Sequence, residues 1–181
     1  MAETRDMATL EDRPAPAEAP APISSSTATT DLHHIVIVGG GAGGIVLATK
    51  LGHKLGRKKR ARITLIDVSL THIWKPLLHE VAVGTLDSHK DDVIFLSHAK
   101  DHGFSFQQGR MDGLERGRRL VHLAPILDVD GREVIPRRTL TYDTLVIAVG
   151  GICNDFGTPG VKQHCMFLDN HQQADQVHRR L

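Results

Sequence analysis

Hydrophobic and polar positions between His34 and Asp67 fall into a strand, turn, helix, strand pattern. The apolar run Ile35-Val36-Ile37-Val38 meets Gly39-Gly40-Gly41-Ala42-Gly43-Gly44. A helix is predicted from about Gly41. It closes in Lys54, Arg57, Lys58, Lys59 and Arg60, cations that complement the negative end of a helix dipole. A second apolar strand, Arg62 to Ile66, ends at Asp67. Further on, Pro76 suits a first helical turn, Leu77, Leu78, Val81 and Ala82 line one helix face, and Gly84 is placed to end it. Val93, Ile94, Leu96 and Ala99 predict a helix from Asp91 to His102, and Phe104-Ser105-Phe106 alternates as a strand does. Leu120 to Leu123, a turn at Asp128 to Gly131 and a return from Arg132 to Leu140 read as a small antiparallel meander. The unbroken run Leu145 to Val149, followed by Gly150 and Gly151, predicts a strand buried on both faces. Val161 to Leu168 is expected as a last short strand, with Asp169 or Asn170 capping a final helix. Ala174, Val177 and Leu181 keep helical spacing to the last residue, so the sequence reads as cut within an element.

This order predicts an α/β fold: a Rossmann-like parallel sheet with helices, plus the antiparallel meander. Gly39, Gly41 and Gly44 stand on G-x-G-x-x-G spacing. The first allows a tight turn, the second lets a pyrophosphate approach the backbone, and the third lets the helix lie close to the strand. Free amides at the helix start then face the phosphates. Asp67 follows Gly44 by 23 residues, where a carboxylate can take a ribose diol. A glycine loop that only turns the chain is the competing reading, and it leaves Asp67 unexplained.

Composition divides the chain. Residues 1–31 are rich in Ala, Pro, Ser and Thr and carry two basic residues against six acidic, a net of −4. Such a segment buries too little to offset its ordering entropy, so a disordered tail is expected there and one domain over 32–181. The remainder carries 20 basic and 15 acidic residues, net +5, which suits a phosphate-bearing ligand and is too small an excess for nucleic acid. Two cysteines, Cys153 and Cys165, make neither a disulfide framework nor a zinc knuckle. No apolar run of spanning length and no secretory signal is present, so a cytoplasmic setting is the default. His98 and His102 have helical ligand spacing, but no acid or cysteine beside them completes a set, and no metal is expected. Trp74 and Lys75 read either as a chain returning over a bound cofactor or as a packed indole beside a surface charge.

The motifs resemble the flavoprotein pyridine-nucleotide oxidoreductases and, within them, the type II NADH dehydrogenases. The general signature is Ile35–Gly44 with Asp67 and the strand motif Thr139–Gly150. The narrower one is His72–Asp87, supported by Gln108–Asp112 and Phe167–Asn170, so the likeness covers about residues 33–181. The resemblance implies FAD. Gly39, Gly41, Ala42, Gly43 and Gly44 would cradle its pyrophosphate and Asp67 would hold its ribose. Lys75 and Pro76 would lie near the flavin, the Met111 backbone near the adenine, and Ala148, Val149 and Gly150 close to the cofactor. It assigns no catalytic residue. In the family NADH reduces the flavin, which passes electrons to a quinone. The family is peripheral on the cytoplasmic face of the inner membrane, and a homodimer is an option. Family chains are more than twice as long, so this one reads as truncated before the NADH-binding domain. Val149 stands where threonine is commoner. Two alternatives are weighed: a non-catalytic nucleotide-binding module, and a sulfide:quinone oxidoreductase using Cys153 and Cys165. Against the second, Cys165 precedes a buried-looking strand, where a thiol is inert.

Overall fold

A computed structural model describes residues 32–72, 74–86 and 92–181. The expected tail, residues 1–31, lies outside the described residues, as does Asp91. The described chain opens on β1 (His34–Val38), turns through the glycines into α1 (Ala42–Leu51), and adds one π-helical turn, Gly52–Gly56, before β2 (Arg62–Asp67). Next come β3 (Thr71–His72), a 3-10 turn (Lys75–Leu77), α2 (Leu78–Ala82), β4 (Val93–Ile94), α3 (Phe95–His102) and β5 (Ser105–Gln108). Six short strands follow the helical layer's last crossover: β6 (Met111–Glu115), β7 (Leu120–Leu123), β8 (Ile126–Leu127), β9 (Glu133–Ile135), β10 (Arg138–Thr141) and β11 (Thr144–Ile147). Helices α4 (Val161–His164) and α5 (His171–His178) end it.

A parallel sheet in the order β11-β1-β2-β5 forms the centre. Successive side chains on a strand point to opposite faces. Ile35, Ile37, Ile63 and Leu65 therefore pack with Ile45 and Ala48 of α1 and with Phe95 and Ala99 of α3. Val36, Val38 and Ile66 pack instead against Val121, Leu123 and Leu140 of the antiparallel sheet β10-β7-β6. The result is three layers: helices, parallel sheet, antiparallel sheet. The expected meander is thus present, with β8 and β9 splitting off as their own hairpin around the Asp128–Gly131 turn. A third apolar cluster joins Leu78, Val81 and Ala82 of α2 to Ala174 of α5.

Three expectations need correction. The helix expected over 91–102 begins at Phe95, because the β-branched pair Val93-Ile94 is drawn into a strand against His72 and Thr71. The run Leu145–Val149 is not buried on both faces. Among the described strands β11 pairs only with β1, at the sheet's edge, and Ile147 and Val149 are 56% and 65% exposed. Val161–Leu168 is not a strand. Gly160, at φ +85, starts a helical turn whose carbonyls at Gly160 and Val161 accept the amides of His164 and Cys165.

A polar relay crosses the start of the sheet. Buried His34 accepts at Nδ1 from Arg62 Nη2 at 2.8 Å, because a guanidinium only donates. Its Nε2 then donates to Thr64 Oγ1 at 2.8 Å, which meets Ser105 Oγ at 3.1 Å. Burial, and next the Arg62 charge, lower the His34 pKa below the usual 6.5, while the Thr141 carbonyl and Asp143 oppose this. A lowered folded pKa means that the unfolded chain takes the proton first. The stability contributed is complete above about pH 6.5 and is lost as pH falls through the folded value. Urea midpoints are expected to be flat above pH 7 and to fall below 6.5, with a shallower fall for His34→Gln. An unchanged slope in that variant refutes the relay's role.

Candidate functional site

The site is built where β1 ends. Gly39 adopts φ +103, a conformation that side chains rarely tolerate, and its amide donates to Ile66 O at 2.7 Å. The chain thereby reverses into α1. Gly44 lies against that turn so closely that a Cβ there would stand 1.8 Å from the Gly39 carbonyl oxygen. Helix α1 starts with no side-chain cap and no acidic residue in its first turn. Its positive end and first amides are therefore left for an outside acceptor. A Cβ added at Gly41 or Gly43 would meet nothing within 4 Å. Space stands in front of the helix start, at the carboxyl ends of the parallel strands.

That space is one groove of about 1060 Å³, large enough for a nucleotide cofactor. Gly41, Ala42 and Gly43, Asp67, Lys75 and Pro76, and Ala148, Val149 and Gly150 all line it. Asp67 is held by backbone: Oδ2 accepts from the Gly40 amide at 2.6 Å and Oδ1 from the Ser69 amide at 2.8 Å. Each oxygen keeps a second lone pair for a ligand. Of the twelve residues named from sequence, Gly39 and Gly44 shape the turn behind the groove. Met111 lies at the start of β6, packed against the β1, β2 and β7 layer, and is not among the groove's lining residues. Gln108, just before it, is.

Of the two readings left open for Trp74, the structure favours the chain returning over the groove: the indole is not packed but 55% exposed, and it lines the groove. Sequence reasoning gave Asp169 no site role beyond a candidate helix cap, yet it also lines the groove. The Cys153 amide, donating to Asp169, holds that carboxyl below the usual range; the Cys153 thiol and the Lys75 ammonium add to this, and burial opposes it. Beside Asp67, burial lowers the pKa of His72 despite the opposing charges of Asp67 and Asp92. Cys165 is exposed rather than buried before a strand, as is Cys153. The rings of His98 and His102 approach to 4.1 Å, yet among the described residues no group of three or more His, Cys, Asp or Glu is arranged for a metal ion. No helix among those residues is long and apolar enough to cross a membrane.

The family model of the pyridine nucleotide-disulphide oxidoreductases matches residues 33–181. The chain belongs to the pyridine nucleotide-disulphide oxidoreductase family. Among members of this family, the type II NADH:quinone oxidoreductase of Haemophilus influenzae is 48% identical over 150 residues, covering 83% of this chain and 34% of that protein. The external alternative NAD(P)H-ubiquinone oxidoreductase B1 of Arabidopsis thaliana mitochondria is 30% identical over 108 residues, 59% of this chain and 19% of its own. The fold resembles NDH2 from Plasmodium falciparum, solved in complex with NADH, at a TM-score of 0.66 and 22% identity, over 82% of this chain and 28% of that one. This pyridine nucleotide-disulphide oxidoreductase chain thus spans about a third of the length of the first relative it matches. The expected Rossmann-like sheet is the fold that these relatives share.

Proposed function

We propose that the groove binds FAD and that this chain is the FAD-binding part of a flavoprotein carrying electrons from NADH to a quinone. The observation that carries the reading is the uncapped start of α1 facing open space at Gly41 and Gly43, with Asp67 fixed beside it. The amides of Ala42, Gly43 and Gly44 would hold the pyrophosphate and Asp67 the ribose. Lys75 and Pro76 would stand over the flavin ring, with Ala148, Val149 and Gly150 against it and the Met111 backbone toward the adenine. Likeness to NADH:quinone oxidoreductases supports NADH and a quinone as the redox partners. FAD, when bound, supplies the electron-carrying ring, and the chain orients it and sets the charge around it. A setting on the cytoplasmic face of a membrane goes with a membrane quinone.

Hydride transfer needs the nicotinamide stacked at contact distance on the ring. The described residues supply one dinucleotide groove. The purified 181-residue polypeptide is therefore expected to bind FAD with saturable quenching of flavin fluorescence and to show no NADH oxidation with a soluble quinone. Asp67→Ala removes a charged acceptor and is expected to weaken FAD binding by about 10- to 100-fold, the equivalent of about 1.5–3 kcal/mol. Equal affinity in the variant, or no flavin binding by wild type, overturns the reading.

A further inference from the structure

Three segments far apart in sequence meet at the rim of the groove. Lys75 Nζ, just ahead of α2, donates to the Gly151 carbonyl at 2.7 Å and reaches Asp169 Oδ1 at 3.5 Å. Asp169 in turn accepts the Cys153 amide with both oxygens, at 3.0 and 2.9 Å. Its side chain is 15% exposed, against 55% for Lys75. Helix capping does not explain the carboxylate. Asn170 is the N-cap, accepting from the Gln173 amide at 3.0 Å, and Gln173 Oε1 returns to accept the Asp169 amide at 2.6 Å. That reciprocal pair immobilises the Asp169 backbone. Ala174, one residue on, is fully buried against α2, the helix that follows Lys75. The carboxylate is therefore held on a rigid base and engaged with the groove wall.

The geometry points to Asp169 as a positioning residue that acts on the redox ring through Lys75, by pinning the ammonium to the Gly151–Cys153 segment and partly cancelling its charge. This rests on the flavin reading. A lone ammonium beside the ring favours the more electron-rich, reduced form; one paired with a carboxylate does so less. Asp169 touches neither the pyrophosphate cradle nor Asp67 in the described contacts. Its effect is on the ring's potential and on the order of the 151–153 segment.

Two measurements on the 181-residue chain test this. Without flavin, amide exchange at Cys153 is expected to quicken at least about tenfold in Asp169→Ala and to stay near wild type in Lys75→Met. With FAD loaded, Asp169→Asn is expected to move the midpoint potential positive by about 30 mV or more, equal to a tenfold change in the reduced-to-oxidised ratio. Lys75→Met moves it negative, and adding Asp169→Asn to Lys75→Met produces a clearly smaller shift than Asp169→Asn does in wild type, because only the part acting through the ammonium is lost. A full Asp169→Asn shift in the Lys75→Met background, or none in wild type, overturns the proposal. So does unchanged exchange at Cys153. Failure of the wild-type chain to take up FAD overturns the functional reading instead, and Cys153 exchange then decides the clamp by itself.

Discussion

Gly44→Ala is expected to abolish FAD binding and to cost about 3 kcal/mol of stability, the upper end for overpacking a tight contact. The added methyl would stand 1.8 Å from the Gly39 carbonyl oxygen and 2.9 Å from its carbon. The Gly39 turn cannot retreat. Gly39 is tied to β2 through Ile66 and lies so near Ala148 that its own Cβ would come within 2.5 Å of the Ala148 oxygen. Helix α1 must therefore back away from β1, carrying its free amides off the phosphate position. Gly41→Ala is the contrasting case. Its methyl meets nothing within 4 Å and its backbone, at φ −62, suits any residue. Stability should change by less than about 0.5 kcal/mol, while FAD affinity falls because the methyl fills the cradle. Urea melts and flavin fluorescence titrations of the two variants separate the glycine that packs from the glycine that binds. Equal losses of stability in both would remove that division of roles.

The parts legible in sequence are those fixed by neighbours along the chain. The run Ile35–Val38, the glycine turn and the strand ending at Asp67 carry their own periodicity and turn chemistry, and β1, α1 and β2 lie where these predict. The errors are non-local. Val146 and Ile147 have the composition of a central strand, but burial depends on what pairs beyond them, and β11 has one neighbour among the described strands. Val93 and Ile94 fit helical spacing until β3 offers them hydrogen bonds. Asp169 was hidden because Asn170 beside it is an equally good cap; only the approach of Cys153 and Lys75 from 16 and 94 residues away shows what the carboxylate holds. The apolar run at the end of Val161–Leu168 drew a strand reading over a turn that Gly160 begins in the left-handed region.

Phe95→Ala is expected to have the largest effect of any single truncation outside the glycines. Phe95 is 1% exposed and stacks on Phe106 with ring centres 4.9 Å apart. It belongs to the cluster shared by β1, β2, α1 and α3. It also underlies the site: a Cβ on Gly40 would come within 2.3 Å of its ring. The ring is thus the floor beneath Gly40, whose amide holds Asp67 Oδ2. Removing it leaves a cavity that the parallel sheet cannot close, at a cost of about 3–5 kcal/mol. Domains of this size have about 5–15 kcal/mol in total, so the variant should melt about 10 °C or more below wild type. Gly40 then loses its support, Asp67 its alignment, and FAD affinity should fall even at temperatures where the variant stays folded. Phe95→Leu, which refills most of the volume, should recover the greater share of both. Recovery of melting temperature without recovery of affinity shows that the flat ring itself, rather than filled space, supports the turn. A Phe95→Ala variant melting within about 2 °C of wild type contradicts the packing on which the groove is built.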